Sequence, residues 1–203
     1  SCNASFAQLG TMLNMDSFRQ LCDSFLFNAP IPTNLLYNTS SFVLDATTDV
    51  KEIPQTVIGQ GKTQITPLHN ALITSTIANG GVMMKPYLVD RIETTAGSTV
   101  KKYFPEIYGT LITPSESQIL TTFMTEAVTN GTASALKGKS YSSAGKTGSA
   151  EHEEGKPAHA WFVGFAPAEK PQIVVSIIVE SVGTGSEYAV PIASKIFDAY
   201  FKK

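Results

Sequence analysis

Ser143-Ala144-Gly145-Lys146-Thr147-Gly148-Ser149-Ala150-Glu151 is the stretch on which the reading of the fold turns. It gathers a lysine, hydroxyls and two glycines into a few residues, and apolar β-branched runs follow it. As a strand it sends alternate side chains to opposite faces, Lys146 and Gly148 to one and Thr147 and Ser149 to the other. Gly145 and Gly148 remove side chains where another backbone can come close. A glycine-flanked edge strand binds an extended peptide by taking it in as one more strand. A lysine and hydroxyls beside that edge suit a peptide ending in a carboxylate. Alone, a Lys-Thr-Gly triplet reads equally as a solvated turn, so the neighbouring stretches decide.

Two strand candidates follow, His159 to Ala166 and Gln172 to Glu180, after a first at Ser142 to Ala150. The turn Pro167-Ala168-Glu169-Lys170-Pro171 makes the last two an antiparallel pair. An amphipathic helix from about Tyr188 closes the chain, with Ala189, Ile192, Ala193, Ile196, Phe197 and Tyr200 as its apolar side. Thr113-Pro114-Ser115-Glu116 is a capping box opening a helix. Its apolar face is Ile119, Leu120, Phe123, Met124, Ala127 and Val128, and Asn130-Gly131 ends it. Tyr87 to Thr95 and Thr99 to Tyr103 read as a hairpin around Gly97-Ser98. Upstream, Thr66 caps a helix with Pro67 in its first turn, and Gly80-Gly81 stops it. Gly59-Gln60-Gly61 is a tight backbone element. A short helix is expected over Ala4 to Leu13. A second is expected with Asp16 as its cap and Phe18, Leu21, Cys22 and Phe25 as its buried face. Between Asn28 and Pro54 loops are expected, with one short strand at Ser41 to Leu44. Helices, then an antiparallel sheet, then a covering helix make an α+β fold. One domain is expected over 1–203, mainly helical over 1–82 and mainly sheet plus C-terminal helix over 83–203.

The chain has 203 residues, 42% hydrophobic and 16% charged, which is enough apolar material for a core. A net charge of −2 without a basic stripe argues against a nucleic-acid partner. The longest apolar run is far too short to span a bilayer. Cys2 and Cys22 are read as free, mostly buried thiols, and His69, His152 and His159 are scattered, so neither a metal nor a cofactor is expected. The chain opens without Met, inside what reads as a motif, and is expected to be a fragment.

Four stretches together resemble the C-terminal part of the transpeptidase domain of penicillin-binding proteins, within the serine β-lactamase and penicillin-recognising group. Ser1-Cys2-Asn3 with Ala4 to Gly10 is similar to the Ser-x-Asn motif and its helix. Gly59-Gln60-Gly61, Thr66-Pro67-Leu68, Ala78 to Gly81 and Lys85-Pro86 resemble the glycine-glutamine-glycine loop and following helix. Gly145 to Glu151 is similar to the Lys-Thr-Gly strand, and His159 to Pro167 to the strand paired with it. Ala160 to Pro167 and Val179-Glu180 place the likeness nearer the class B proteins. The family's Ser-x-x-Lys nucleophile motif lies upstream of Ser-x-Asn. The two such strings here, Ser98 to Lys101 and Ser134 to Lys137, lie downstream, in a hairpin turn and a loop, and are read as chance matches.

The resemblance implies acyl transfer from D-Ala-D-Ala stem peptides in peptidoglycan cross-linking, with β-lactam antibiotics as mimics. It assigns Ser1 a proton relay to the leaving nitrogen, Asn3 the substrate amide, and Lys146 a positive field that supports Ser1 and draws the carboxylate. Thr147 and Ser149 bring hydroxyls to that carboxylate, Gly148 lets the substrate backbone lie close, and the Ser149 N–H is one of two oxyanion donors. Ordinary readings compete with these roles: an N-terminal serine, a helix-capping asparagine and a solvated lysine. Without the nucleophile, the chain alone is expected to be inactive. A β-lactamase or D,D-carboxypeptidase of the same fold, or a non-catalytic sensor of β-lactam or peptidoglycan, are the alternatives. The resemblance also implies action outside the cytoplasm at a membrane. It further implies a strand Gln172 to Glu180 with a bare edge, covered by the upstream part of the domain, a swapped element or a dimer partner.

Overall fold

The computed structural model describes residues 2–44 and 48–202. Helix α1 (Asn3–Thr11), α2 (Met15–Ser24), α3 (Ile53–Val57) and α4 (Pro67–Ala78) come first. Four short strands follow: β1 (Val82–Met84), β2 (Arg91–Glu93), β3 (Thr99–Lys102) and β4 (Ile107–Thr110). Helix α5 (Pro114–Thr129) leads through a 3₁₀ turn at Ser134–Leu136 into β5 (Ala144–Ala150), β6 (His159–Ala166) and β7 (Ile173–Val179). A single π turn at Gly185–Ala189 opens α6 (Val190–Phe201). The fold is α+β, as the element pattern implies.

The main sheet is antiparallel in the order β5-β6-β7, with Lys146 opposite Val163 and Phe162 opposite Ile177. Phe162 is wholly buried, among Val128, Leu136, Ala193 and Phe197, so α6 and the end of α5 cover one face. Phe165 and Ala144 turn to the other face, onto Met124 and Ile77 of α5 and α4. Strand β5 is therefore an edge strand, and its free edge looks toward the helices at the start of the chain. Those helices are locked in turn: a Cβ at Gly10 would lie 2.2 Å from Val57 Cγ2, so α1 and α3 meet through the missing side chain.

Several local expectations need correction. Asn14, not Asp16, caps α2: its Oδ1 accepts from the Ser17 N–H at 2.9 Å. Asp16 sits in the first turn, where a negative charge is favoured, and pairs with Arg19. Leu21 on the expected buried face is exposed. No strand forms at Ser41 to Leu44; a single bridge joins Ser41 to Gln64. The side-chain amide of Asn28 explains this, because it donates to the Phe42 carbonyl and accepts its N–H, at 2.8 and 3.0 Å. Both backbone groups are satisfied with no neighbouring strand. The expected strand from Tyr87 begins only at Arg91, and β1 and β4, which pair at the base of the hairpin, are too short to show a period. Cys2 is exposed and Cys22 half-buried, rather than both buried.

Helices α5 and α6 bury narrower stripes than their apolar residues suggest. Along α5 the contact runs through Ser117, Met124 and Val128, and the Ser117 hydroxyl donates to the Ile77 carbonyl at 2.6 Å. Ile119 and Phe123 face outward. Along α6, Val190, Ala193, Ser194 and Phe197 are buried, whereas Ile192, Ile196 and Tyr200 remain partly open. The capping box at Thr113 is complete, with the Glu116 N–H donating to Thr113 Oγ1 and the Glu116 carboxylate accepting from the Thr113 N–H. Thr113→Ala removes the hydroxyl that accepts from the Glu116 N–H, leaves the backbone half of the box, and is expected to lower stability by about 1 kcal/mol, read as a reduced denaturation midpoint.

Candidate active site

Strand β5 presents its residues at a hollow of about 340 Å³ between the sheet edge and the N-terminal helices. Asn3, Lys146, Thr147, Gly148 and Ser149 line it together, so five of the six candidate residues meet at one place. The sixth, Ser1, lies outside the described residues. The hollow widens into a space of about 880 Å³ toward Glu151–Lys156 and Gln55, and Asn3, Gln60 and Ser149 line both parts.

Asn3 is the first residue of α1, with Cys2 in the capping position and no side-chain cap there. The capping role set against Asn3 in the sequence is therefore not the one it fills. Lys146 extends along the cleft, and its ammonium donates to the Thr147 carbonyl at 2.6 Å. Among the described residues no carboxylate is paired with it. Its side chain is exposed overall, yet enough protein surrounds the ammonium that burial lowers its pKa below the ordinary lysine value. The site therefore holds a cation without a fixed counter-ion, which suits it to an anionic group brought by a ligand.

Thr147 Oγ1 shares a hydrogen bond of 2.6 Å with Thr132 Oγ1, in the turn after α5. Ser149 gives its carbonyl to the Gln60 side-chain amide at 3.2 Å. Because a carbonyl only accepts, the NH₂ of Gln60 faces it. In a strand, the N–H and C=O of one residue point to the same side. The Ser149 N–H therefore also lies on the free edge of β5, where it can donate to a developing oxyanion. A Cβ on Gly148 would meet only the Trp161 side chain, 3.2 Å from its Cβ, whereas a Cβ on Gly185 would lie 2.6 Å from the Gly148 carbonyl, so the close backbone approach within the chain depends on Gly185. Gly145 is needed for a different reason, since a Cβ there would meet the Phe162 ring at 2.4 Å. Its role is in the core.

The sequence reading gave no role to Thr132, Gln60 or the Thr184–Ser186 turn, all of which line the narrow hollow. For Gln60 the visible signals were the glycines on either side, now seen at φ +80° and +74°, and the likeness of Gly59-Gln60-Gly61 to the family's loop. Thr132 follows a helix stop and carries none. His69 is wholly buried, and its ring N–H at Nε2 donates to the Phe25 carbonyl at 2.6 Å. Burial holds its pKa below the ordinary histidine value. It ties α4 to the end of α2, away from the cleft. Neither Ser98 nor Ser134 lines either hollow.

The family model described as the penicillin-binding protein transpeptidase domain matches residues 1–198. The chain belongs to that family. Among curated relatives, the peptidoglycan D,D-transpeptidase PbpA of Mycolicibacterium smegmatis is 34% identical over 205 residues, covering 95% of this chain and 40% of its own length. The peptidoglycan D,D-transpeptidase MrdA of Haemophilus influenzae is 32% identical over 166 residues, 72% of this chain and 25% of its own. The ceftriaxone acyl-enzyme of penicillin-binding protein A from M. tuberculosis matches with a TM-score of 0.91 at 32% identity, over 98% of this chain and 46% of that one. The D,D-transpeptidase domain from Eggerthella lenta gives 0.87 at 28%, over 98% and 51%. This transpeptidase-family chain thus spans about two fifths of the length of the PbpA relatives. No helix among the described residues is long and apolar enough to cross a membrane.

Proposed function

We propose that this chain supplies one wall of the acyl-transfer cleft of a peptidoglycan D,D-transpeptidase, and that the attacking serine comes from an upstream part of the same domain. The observation that carries the reading is the meeting of Asn3, Lys146, Thr147 and Ser149 at the free edge of one strand. Lys146 draws the terminal carboxylate of a D-Ala-D-Ala stem peptide, with the Ser149 hydroxyl beside it, and Asn3 orients the peptide amide. Ser1 relays the proton to the leaving D-alanine nitrogen. As the serine oxygen adds to the carbonyl carbon, the Ser149 N–H stabilises the oxyanion. The C–N bond then breaks, and an amine of a second stem peptide takes the acyl group from serine. β-Lactams enter by the same contacts and remain as the acyl-enzyme. The reaction belongs on the outer face of the bacterial membrane, where peptidoglycan is.

The upstream part also has a place to dock. Strand β7 has no neighbour on its outer side among the described residues, and Ile192, Ile196 and Tyr200 of α6 are partly open. We assign that face to the rest of the domain rather than to a dimer partner, because the relatives of this chain extend well beyond the matched part.

A fluorescent penicillin tests the whole reading. The full-length protein is expected to label covalently and to lose the label on substitution of its upstream serine, whereas residues 1–203 alone stay unlabelled. Labelling of the short chain would place the nucleophile within it and overturn the division of labour.

A further inference from the structure

We propose that Gln60 caps the free edge of β5, occupying the backbone acceptor that an incoming extended peptide needs, and that it must leave before the peptide can pair with the strand. The inference rests on the reading of this cleft as one that binds peptide.

Lys146 and Gly148 turn their backbone groups to β6, so Thr147 and Ser149 turn theirs to the cleft. Both outward carbonyls are already in use. Lys146 Nζ donates to Thr147 at 2.6 Å, and Gln60 Nε2 donates to Ser149 at 3.2 Å. A bare strand edge invites unwanted pairing, and side chains that fill its acceptors suppress it. The two caps differ in kind. The lysine is part of the proposed carboxylate site and has charge to offer a ligand. Gln60 has only its neutral amide, which imitates the peptide N–H that would replace it.

The loop carrying Gln60 is held through its backbone, while its side chain is held to the strand by the bond to Ser149. The Gln60 backbone N–H donates to the Gln55 carbonyl at 2.9 Å, and the glycines on either side hold positive φ. Releasing the cap therefore needs a side-chain rotation and no movement of the loop. The amide also stands where the narrow hollow meets the wide one, so a peptide running from Lys146 toward Glu151 passes it. Exchange of one neutral hydrogen bond for another keeps the loss small, and that is why a cap can be tolerated in a working site.

The test measures acylation of the full-length protein by a penicillin under single-turnover conditions, resolving the reversible binding step from the acylation step. Gln60→Met keeps the length without a donor, and Gln60→Ala also removes the bulk. Both are expected to tighten the binding step by about threefold to tenfold, the worth of one neutral hydrogen bond, and to leave the acylation rate constant unchanged. A merely structural role would weaken binding or slow the chemistry. Unchanged or weaker binding, or an effect confined to the acylation step, overturns the proposal. A crystal structure of the unaltered full-length acyl-enzyme gives an independent reading. Gln60 Nε2 is expected to have left Ser149, and its retention there overturns the cap. A wild-type protein that no penicillin labels would sink the peptide-cleft reading itself, a result distinct from normal labelling that Gln60 variants fail to alter.

Discussion

Replacing Lys146 with methionine lowers the second-order acylation of the full-length protein by a fluorescent penicillin by about 10²–10³-fold, the usual cost of removing a preorganised electrostatic contact. Methionine matches the lysine stem in length and leaves out only the charge. The ammonium has no carboxylate partner among the described residues, so no internal ion pair is broken and the thermal midpoint should move little. Its present contact, the Thr147 carbonyl, lies on the solvent-facing edge of β5 and returns to water or ligand when the lysine is lost. A loss of only twofold or threefold would mean that the carboxylate is held elsewhere.

The same group sets an alkaline limit. Burial disfavours the charged ammonium, so Lys146 gives up its proton at a lower pH than a free lysine. Only the protonated form attracts a carboxylate. Binding is therefore complete below the lowered pKa and falls as pH rises through it, ahead of the range near 10.4 of an unperturbed side chain. The alkaline limb of the acylation profile is expected to move upward in Lys146→Arg, whose guanidinium does not titrate there. An unchanged limb would assign it to another group.

Legibility followed the range of each interaction. The capping box at Thr113, the Thr66 cap and the pairing of β5, β6 and β7 are local or strictly periodic, and all stand in the structure. The strand expected at Ser41 did not form because Asn28, fourteen residues away, satisfies the Phe42 backbone. No period reveals such a clamp. Helix α6 illustrates a second limit: its apolar residues span a wider arc than this chain can cover, so periodicity found the helix but overstated the buried face. At the site, the residues of one strand could be grouped by alternation alone. Asn3 and Lys146 were grouped by resemblance, and coordinates were needed to place them in one hollow. Thr132 and the Thr184–Ser186 turn reach the cleft through tertiary packing that leaves no mark on their neighbours in sequence.

That turn carries the other large effect. Gly185→Ala is expected to cost about 3 kcal/mol or more, at or beyond the upper end for an overpacked core, and to abolish acylation along with it. The added Cβ would lie 2.1 Å from the Trp161 carbonyl oxygen and 2.6 Å from that of Gly148. Those two residues face each other across β5 and β6, so neither oxygen can retreat without opening the sheet at the Lys-Thr-Gly strand. The alternative is for the Gly185 turn to lift away, which carries Thr184 and Ser186 out of the cleft wall and unseats the start of α6 over Phe162. Either way, stability and the site fail together. Gly138→Ala supplies the contrast. Gly138 has φ +76° and open space around the missing Cβ, so it should lose only about 1–2 kcal/mol, the cost of a left-handed backbone. Denaturation midpoints for the two variants, taken with penicillin labelling, decide the matter. Equal losses, or a Gly185→Ala protein that labels normally, would show that the turn is not wedged against the strand.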